Sequence, residues 1–176
     1  MPMIDVTIPE GALPADAEAR LMSELTDILI RHEGLDPANP RVRDVSWIFL
    51  HRPAAIYRAG TLAPAPIYRI VPSVPEGQYT DAARASLVAA VTAAVAEAEG
   101  GAIEEVGRRV WVFPTELSDG SWGARGAVRR LPDIMESFGG EDLRQLGITR
   151  LANKRRADAA TLLEAAAETL RGSGAL

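Results

Sequence analysis

The chain has 176 residues, no cysteine, two histidines and a formal net charge of -5, from 19 Lys+Arg against 24 Asp+Glu. That length suits one domain, or one with an appendage, and is ample for a buried core. The missing cysteines exclude disulfide frameworks, thiolate zinc sites, iron–sulfur clusters and thiol nucleophiles, two histidines argue against a multi-histidine metal site, and a pI near 5.1 leaves no basic footprint for nucleic acid.

The chain opens Met1-Pro2-Met3-Ile4-Asp5, with no basic or apolar leader segment, so a signal peptide is not expected. Residues 2–8 alternate apolar and polar as a short strand does, and Pro9-Glu10-Gly11 breaks it. An amphipathic helix is expected from Asp16, its candidate N-cap, to Arg31, with Leu21, Leu25, Ile28 and Leu29 on one face and Gly34 as its stop. A second strand is expected over Asp44–His51, followed by a loop-like linker to Pro66 with room for a short hairpin.

The plan then repeats. A strand over 66–71 runs into Pro75-Glu76-Gly77, and a helix follows from Thr80 or Asp81 to Glu99, with Leu87, Val88, Val91 and Val95 on its face and Gly100-Gly101 as its stop. A strand over Arg109–Phe113 closes the second copy. Pro2 with Pro66, Arg20 with Arg84, Trp47 with Trp111 and Phe49 with Phe113 all stand 64 residues apart. The domain reading is 2–65 and 66–130 as two β-α-β repeats, with 131–176 as a helical extension in which Glu141–Leu146 and Asn153–Arg171 are helices.

A β-α-β crossover makes its strands parallel and sets its helix on one face. The fold class read from this is α/β (α+β): a four-stranded mixed sheet with two helices on one face, plus the extension. The other face carries Trp47, Phe49, Trp111 and Phe113 and needs a cover. The Ala/Val-rich stretch 82–98 is broken by Arg84, Ser86, Thr92 and Glu97 and falls short of the ~20 apolar residues of a membrane span. A cytoplasmic protein without a membrane partner is expected.

The chemistry is expected at Pro2. Methionine is normally removed before a small second residue, which leaves the proline's secondary amine at the chain terminus. An α-amino group has a reference pKa of roughly 8; burial against apolar groups penalises the ammonium and brings it toward neutrality, where it serves as base or acid. The alternative is that a proline at this position carries no role.

Met1–Gly11 followed by a helix and a second strand resembles the amino-terminal unit of the tautomerase superfamily, typified by 4-oxalocrotonate tautomerase. The duplication is similar to its fused members: malonate semialdehyde decarboxylase, cis-3-chloroacrylic acid dehalogenase and the macrophage migration inhibitory factor group. His51-Arg52-Pro53 and the run Ser118–Gly126, with Trp122 and Arg125-Gly126, resemble stretches of the decarboxylase; Trp111-Val112-Phe113 with Glu116-Leu117 resembles the dehalogenase. The resemblance covers about residues 2–130. It implies a trimer whose open sheet faces meet, Pro2 as catalytic base or acid, and a small carboxylic acid as substrate, with no cofactor and no metal.

Departures from the family pattern narrow these expectations. Neither Pro9-Glu10-Gly11-Ala12 nor Pro75-Glu76-Gly77-Gln78 carries the arginine that family members place there to hold a carboxylate. Arg43 and Arg125 are the candidates to take its place. Phe113 and Ala124 stand where the dehalogenase has its water-activating tyrosine and glutamate. Asp44 is the counterpart of the decarboxylase's assisting aspartate, offset by one position, and Trp122 of an apolar wall residue. His32 reads as a helix C-terminal charge and His51 as structural. Keto–enol tautomerisation is the leading expectation, decarboxylation of a malonate semialdehyde-like β-oxo acid the second, and an interaction protein with a decayed site the third.

Overall fold

A computed structural model describes residues 3–172; the expectations placed on Pro2 lie outside the described residues. The chain forms two compact units, one running to Pro75 and resuming over Tyr79–Leu117, the other made of Glu76–Gln78 and the chain from Ser118 onward.

In the first unit β1 (Met3–Thr7) leads through α1 (Ala15–His32) and the short α2 (Pro40–Asp44) to β2 (Trp47–His51). A linker hairpin of β3 (Tyr57–Arg58) and β4 (Thr61–Leu62) precedes β5 (Tyr68–Pro75). Then come α3 (Asp81–Glu99), α4 (Ile103–Val106), β6 (Val110–Val112) and β7 (Thr115–Leu117). The strand order is β2-β1-β5-β6, with β7 continuing along β5 beyond Pro114. β1 pairs parallel with β2 and β5 with β6, while β1 and β5 run antiparallel with Met3 opposite Ser73. This is the mixed sheet of two β-α-β units.

Alternation along the strands explains why one face is filled. Ile4, Val6, Ile70 and Val74 point to the helix side and form one core with Leu21, Leu25 and Leu29 of α1 and Leu87, Val91 and Val95 of α3. Trp47 and Phe49, and Trp111 and Phe113, project from the other side, each pair edge to face with ring centroids 6.3 and 6.2 Å apart. Trp47 is 53% exposed and Trp111 66%.

Both helices stop by the same device. Gly34 and Gly100 take left-handed φ of 70° and 75°, and the amides of Leu35 and Gly101 reach back to the carbonyls of Ile30 and Ala96. Thr80 caps α3, its side chain accepting from the Ala83 amide. Asp16 does not cap α1: the cap position is Pro14, and Asp16 pairs with Arg20 inside the first turn. Val88 lies at the rim, 36% exposed, because it sits about 100° round the helix from Leu87.

The second strand begins at Trp47 rather than Asp44. Asn39-Pro40 starts a helical turn there, with the Asn39 side chain accepting from the Arg41 amide and Pro40 at the first helical position. The strand expected over 66–71 lies at 68–75, since Pro72 and Pro75 are compatible with extended backbone.

In the second unit, β8 (Gly123–Ala124) and β9 (Ala127–Val128) form a hairpin before α5 (Leu131–Gly139) and α6 (Glu141–Gly172). The two helices expected at 141–146 and 153–171 are one helix, and α5 fills the start of the helical extension, where the sequence reading places no individual helix. Gly147 is where the helices meet: a Cβ there would lie 3.0 Å from Pro132 Cα and 3.2 Å from the Met135 sulfur. Leu131, Met135 and Leu151 form the buried core of this unit.

Candidate functional site

Met3 opens the central strand of the sheet, flanked by Trp47 and Ser73, and Pro2 is bonded directly to it. The antiparallel β1–β5 pairing places the end of β5, and β7 beside it, at this same end of the sheet. The crossover from β1 to the parallel β2 returns α1 here too, and α3 starts here. His32 marks that junction. Its Nδ1–H donates to the Ile28 carbonyl at 2.7 Å, which leaves Nε2 to accept from the Ser86 hydroxyl at 3.1 Å.

A buried polar cluster occupies this end. Glu116 on β7 accepts from the Tyr79 amide at 3.0 Å and from Arg84 Nη2 at 2.8 Å. The Arg84 guanidinium lies 5.2 Å from the centre of the Tyr79 ring. Glu33, at the end of α1, is 1% exposed and Tyr79 4%. Burial, and then the Glu33 charge, push the Tyr79 hydroxyl above its ordinary range, so it remains a protonated donor. That hydroxyl finds no acceptor among the described residues. Sequence reading missed Glu33, Tyr79 and Glu116 as a group because a period-3.6 or period-2 pattern cannot show three separate elements converging. Arg84 was visible as the repeat mate of Arg20. Their surroundings differ: Arg20 meets Asp16 at the surface, Arg84 a carboxylate whose side chain is 9% exposed.

Arg43 and Asp44 end α2. Arg43 Nη1 donates to Asp27 at 2.5 Å and to the Pro37 carbonyl at 3.1 Å, so a carboxylate ligand would have to compete with Asp27. The Asp44 carbonyl accepts from the Trp47 indole at 3.2 Å. His51 meets Asp5 at 2.8 Å on the uncovered face, and Arg52 meets Glu18 at 2.7 Å.

Trp122 and Arg125 belong together on the second unit's hairpin. Trp122 is half-buried with its indole N–H enclosed and without an acceptor among the described residues. Arg125 and Gly126 form the two-residue connection at φ 55° and 75°; left-handed φ at both positions is the hairpin geometry that favours glycine.

The second turn contains the finding that sequence reading could not supply. No arginine stands in Glu76-Gly77-Gln78, yet α6 brings two. Arg150 Nη1 donates to Gln78 Oε1 at 2.7 Å, and Arg155 Nε to Glu76 Oε1 at 3.1 Å. The Arg155 hydrogen bond holds the Glu76 carboxyl below its usual range, with the Asp119 amide adding to it. Asp119, 3% exposed in its side chain, takes Arg130 at 2.7 Å and caps α5 through the Leu131 amide.

A cavity of about 410 Å³ lies at the other end of β1, lined by Pro9–Ala12, Pro53–Ile56 and Leu62–Ile67. Glu10 is its one ionisable lining residue, so it offers little acid–base chemistry. Among the described residues no group of three or more His, Asp or Glu side chains is placed to hold a metal ion.

No family model matches the sequence, and no curated protein matches it either. Solved structures do match in fold. A native fused 4-OT is 20% identical, with a TM-score of 0.57, over 72% of this chain and 94% of that one. N1, a member of the cis-3-chloroacrylic acid dehalogenase family, is 18% identical with a TM-score of 0.58 over 72% and 82%. The macrophage migration inhibitory factor of Toxoplasma gondii is 16% identical with a TM-score of 0.55 over 72% and 99%. The chain therefore has the fold of the tautomerase superfamily.

Proposed function

We propose that this chain is a tautomerase whose base is the Pro2 amine, exposed by removal of Met1, acting on a small keto or enol carboxylic acid. The observation that carries this reading is the tautomerase fold together with a proline next to the first residue of its central strand. In ketonisation the protonated amine delivers its proton to the enol carbon, and the amine so freed takes up the proton that the enol oxygen loses; the reverse direction moves both back. A single well-placed base with an electrostatic partner suffices, which is compatible with the absent family arginines.

The carboxylate needs a guanidinium. Arg43 and Arg125 are the candidates from the sequence, with Asp44 and Trp122 as assisting and wall residues. Truncation of the true anchor to alanine raises KM by roughly tenfold or more, the loss of a charge-assisted hydrogen bond of about 1.5–3 kcal/mol. The assembly proposed is a homotrimer; three fused 4-OT structures of this fold are trimers.

Phenylenolpyruvate ketonisation by wild type and Pro2→Ala tests the reading. The variant is expected to lose at least a hundredfold in kcat, and equal turnover overturns the proline mechanism. Release of CO2 from malonate semialdehyde without enol turnover assigns the fold to a decarboxylase instead. Intact mass of the purified chain is expected to lack Met1.

A further inference from the structure

The strand register matches the two repeats differently from their shared prolines. Met3 lies opposite Trp47 on the parallel neighbour of β1, and Arg69 lies opposite Trp111 on the parallel neighbour of β5. Arg69 is therefore the counterpart of Met3, and the residues just before them, Pro2 and Tyr68, are counterparts too. The same step of 66 residues carries Ile4 onto Ile70, the first residue of α1 onto that of α3, Leu25 onto Val91 and Gly34 onto Gly100. It also carries Glu33 onto Glu99.

In the second repeat these counterparts touch. Tyr68 is wholly buried on the helix side of β5, and its hydroxyl donates to Glu99 Oε2 at 2.6 Å. Glu33 and Glu99 sit in the same cap: each precedes the left-handed glycine that ends its helix, and the amide after that glycine returns to the carbonyl five residues back. A carboxylate in this place reaches the head of its own repeat's first strand, and Glu33, 1% exposed, is not turned out to water. The third member of the second-repeat group has a different counterpart. Arg109, which donates to Glu99, stands two residues before Trp111, and Val45 stands two residues before Trp47. The cation that the first repeat brings to position 2 is the terminal amine exposed by removal of Met1.

We propose that Glu33 is a positioning residue for the Pro2 amine: its carboxylate takes, at the head of β1, the place that Glu99 takes at the head of β5, and holds the amine as an ammonium ion. This rests on the reading of Pro2 as the base and acid of the site. Burial alone drives the amine toward its neutral form, and an adjacent carboxylate opposes that. The ammonium is the form that delivers a proton to carbon, so the resting site is set for ketonisation of an enol. The other charged and titratable groups at this end of the first unit are Arg84 and Glu116, paired at 2.8 Å, His32, turned to Ile28 and Ser86, and the Tyr79 hydroxyl, which stays protonated.

Proline labelled with 15N reports the amine directly, because only a terminal proline nitrogen titrates. Glu33→Gln is expected to lower the midpoint of that titration by about one pH unit or more, and to move the alkaline limb of the ketonisation rate down by the same amount. Glu99→Gln, the counterpart change, is expected to leave the midpoint at its wild-type value. An unchanged midpoint in Glu33→Gln, or an equal shift in both variants, overturns the proposal. Where Glu33→Gln does not fold, the wild type decides: the side-chain carboxyl 13C of one glutamate is expected to inflect at the proline midpoint, and absence of that inflection overturns the pairing. Full turnover by Pro2→Ala removes the proline mechanism whatever the midpoint does, whereas an unshifted midpoint alongside an inactive Pro2→Ala removes Glu33 alone. A chain that keeps Met1 shows no titrating proline and removes both.

Discussion

Gly11 and Gly77 occupy the same place in two turns that read alike, and their surroundings differ. Both need left-handed backbone, at φ 73° and 93°, but a Cβ at Gly11 meets nothing within 4 Å, whereas at Gly77 it lies 3.1 Å from the backbone of Leu151. Gly11→Ala is expected to cost about 1–2 kcal/mol from the left-handed conformation alone. Gly77→Ala adds a collision with main chain that cannot turn aside, so the larger fall in urea midpoint, followed by far-UV circular dichroism, is expected for Gly77. Arg125 presents the converse case, a bulky residue kept where glycine is preferred. Arg125→Gly is expected to stabilise the hairpin by about 1 kcal/mol. If the same change also raises KM, the strain is retained for binding; unchanged KM removes Arg125 from the candidate anchors.

At the scale of elements, what the sequence made legible was whatever a short period or a local cap could carry. Both long helices follow from apolar spacing, and their glycine stops and the 64-residue offset needed no tertiary knowledge. α5 was opaque because Pro132 near its start and Gly139-Gly140 at its end resemble loop punctuation. The Asn39-Pro40 start of α2 is a local signal, a capping side chain before a proline at the first helical position, but the apolar run that follows it masks the turn as the beginning of a strand. The linker hairpin and the β8–β9 hairpin repeat one another at an offset of 66, as Ala59-Gly60 and Arg125-Gly126 show. The candidate site was legible only where residues are near in sequence, and its converging groups are not.

One such convergence stabilises the second repeat. Glu99 at the end of α3 receives Arg109 Nη2 at 2.5 Å and Nη1 at 3.0 Å, with the buried Tyr68 hydroxyl at 2.6 Å. The Arg109 hydrogen bonds, with Tyr68 behind them and burial opposing, hold the Glu99 carboxyl below its ordinary 4.5. The unfolded chain then binds the proton more readily, so this contribution is complete above that ordinary value and disappears as the pH falls through the lower, folded one. Arg109→Met is expected to cost about 2 kcal/mol at pH 7 and to flatten the decline in stability below pH 4.5. A variant with an unchanged acid limb would show that other carboxylates govern it.

The whole molecule is governed by surface that a single chain cannot cover. Unit one fills the helix side of its sheet and leaves two Trp–Phe pairs outward at the sheet's two flanks, with Arg69 stacked 5.4 Å over Phe113. Exposing two tryptophans at 53% and 66% forfeits a burial worth about 25 cal/mol for each square ångström removed from water. A cyclic assembly through this face, such as the proposed trimer, recovers it in every subunit at once. Trp47→Glu with Trp111→Glu is expected to reduce the light-scattering mass of the full chain to that of one copy, with far-UV circular dichroism preserved. An unchanged mass in a folded variant would mean that this face is not where the copies meet.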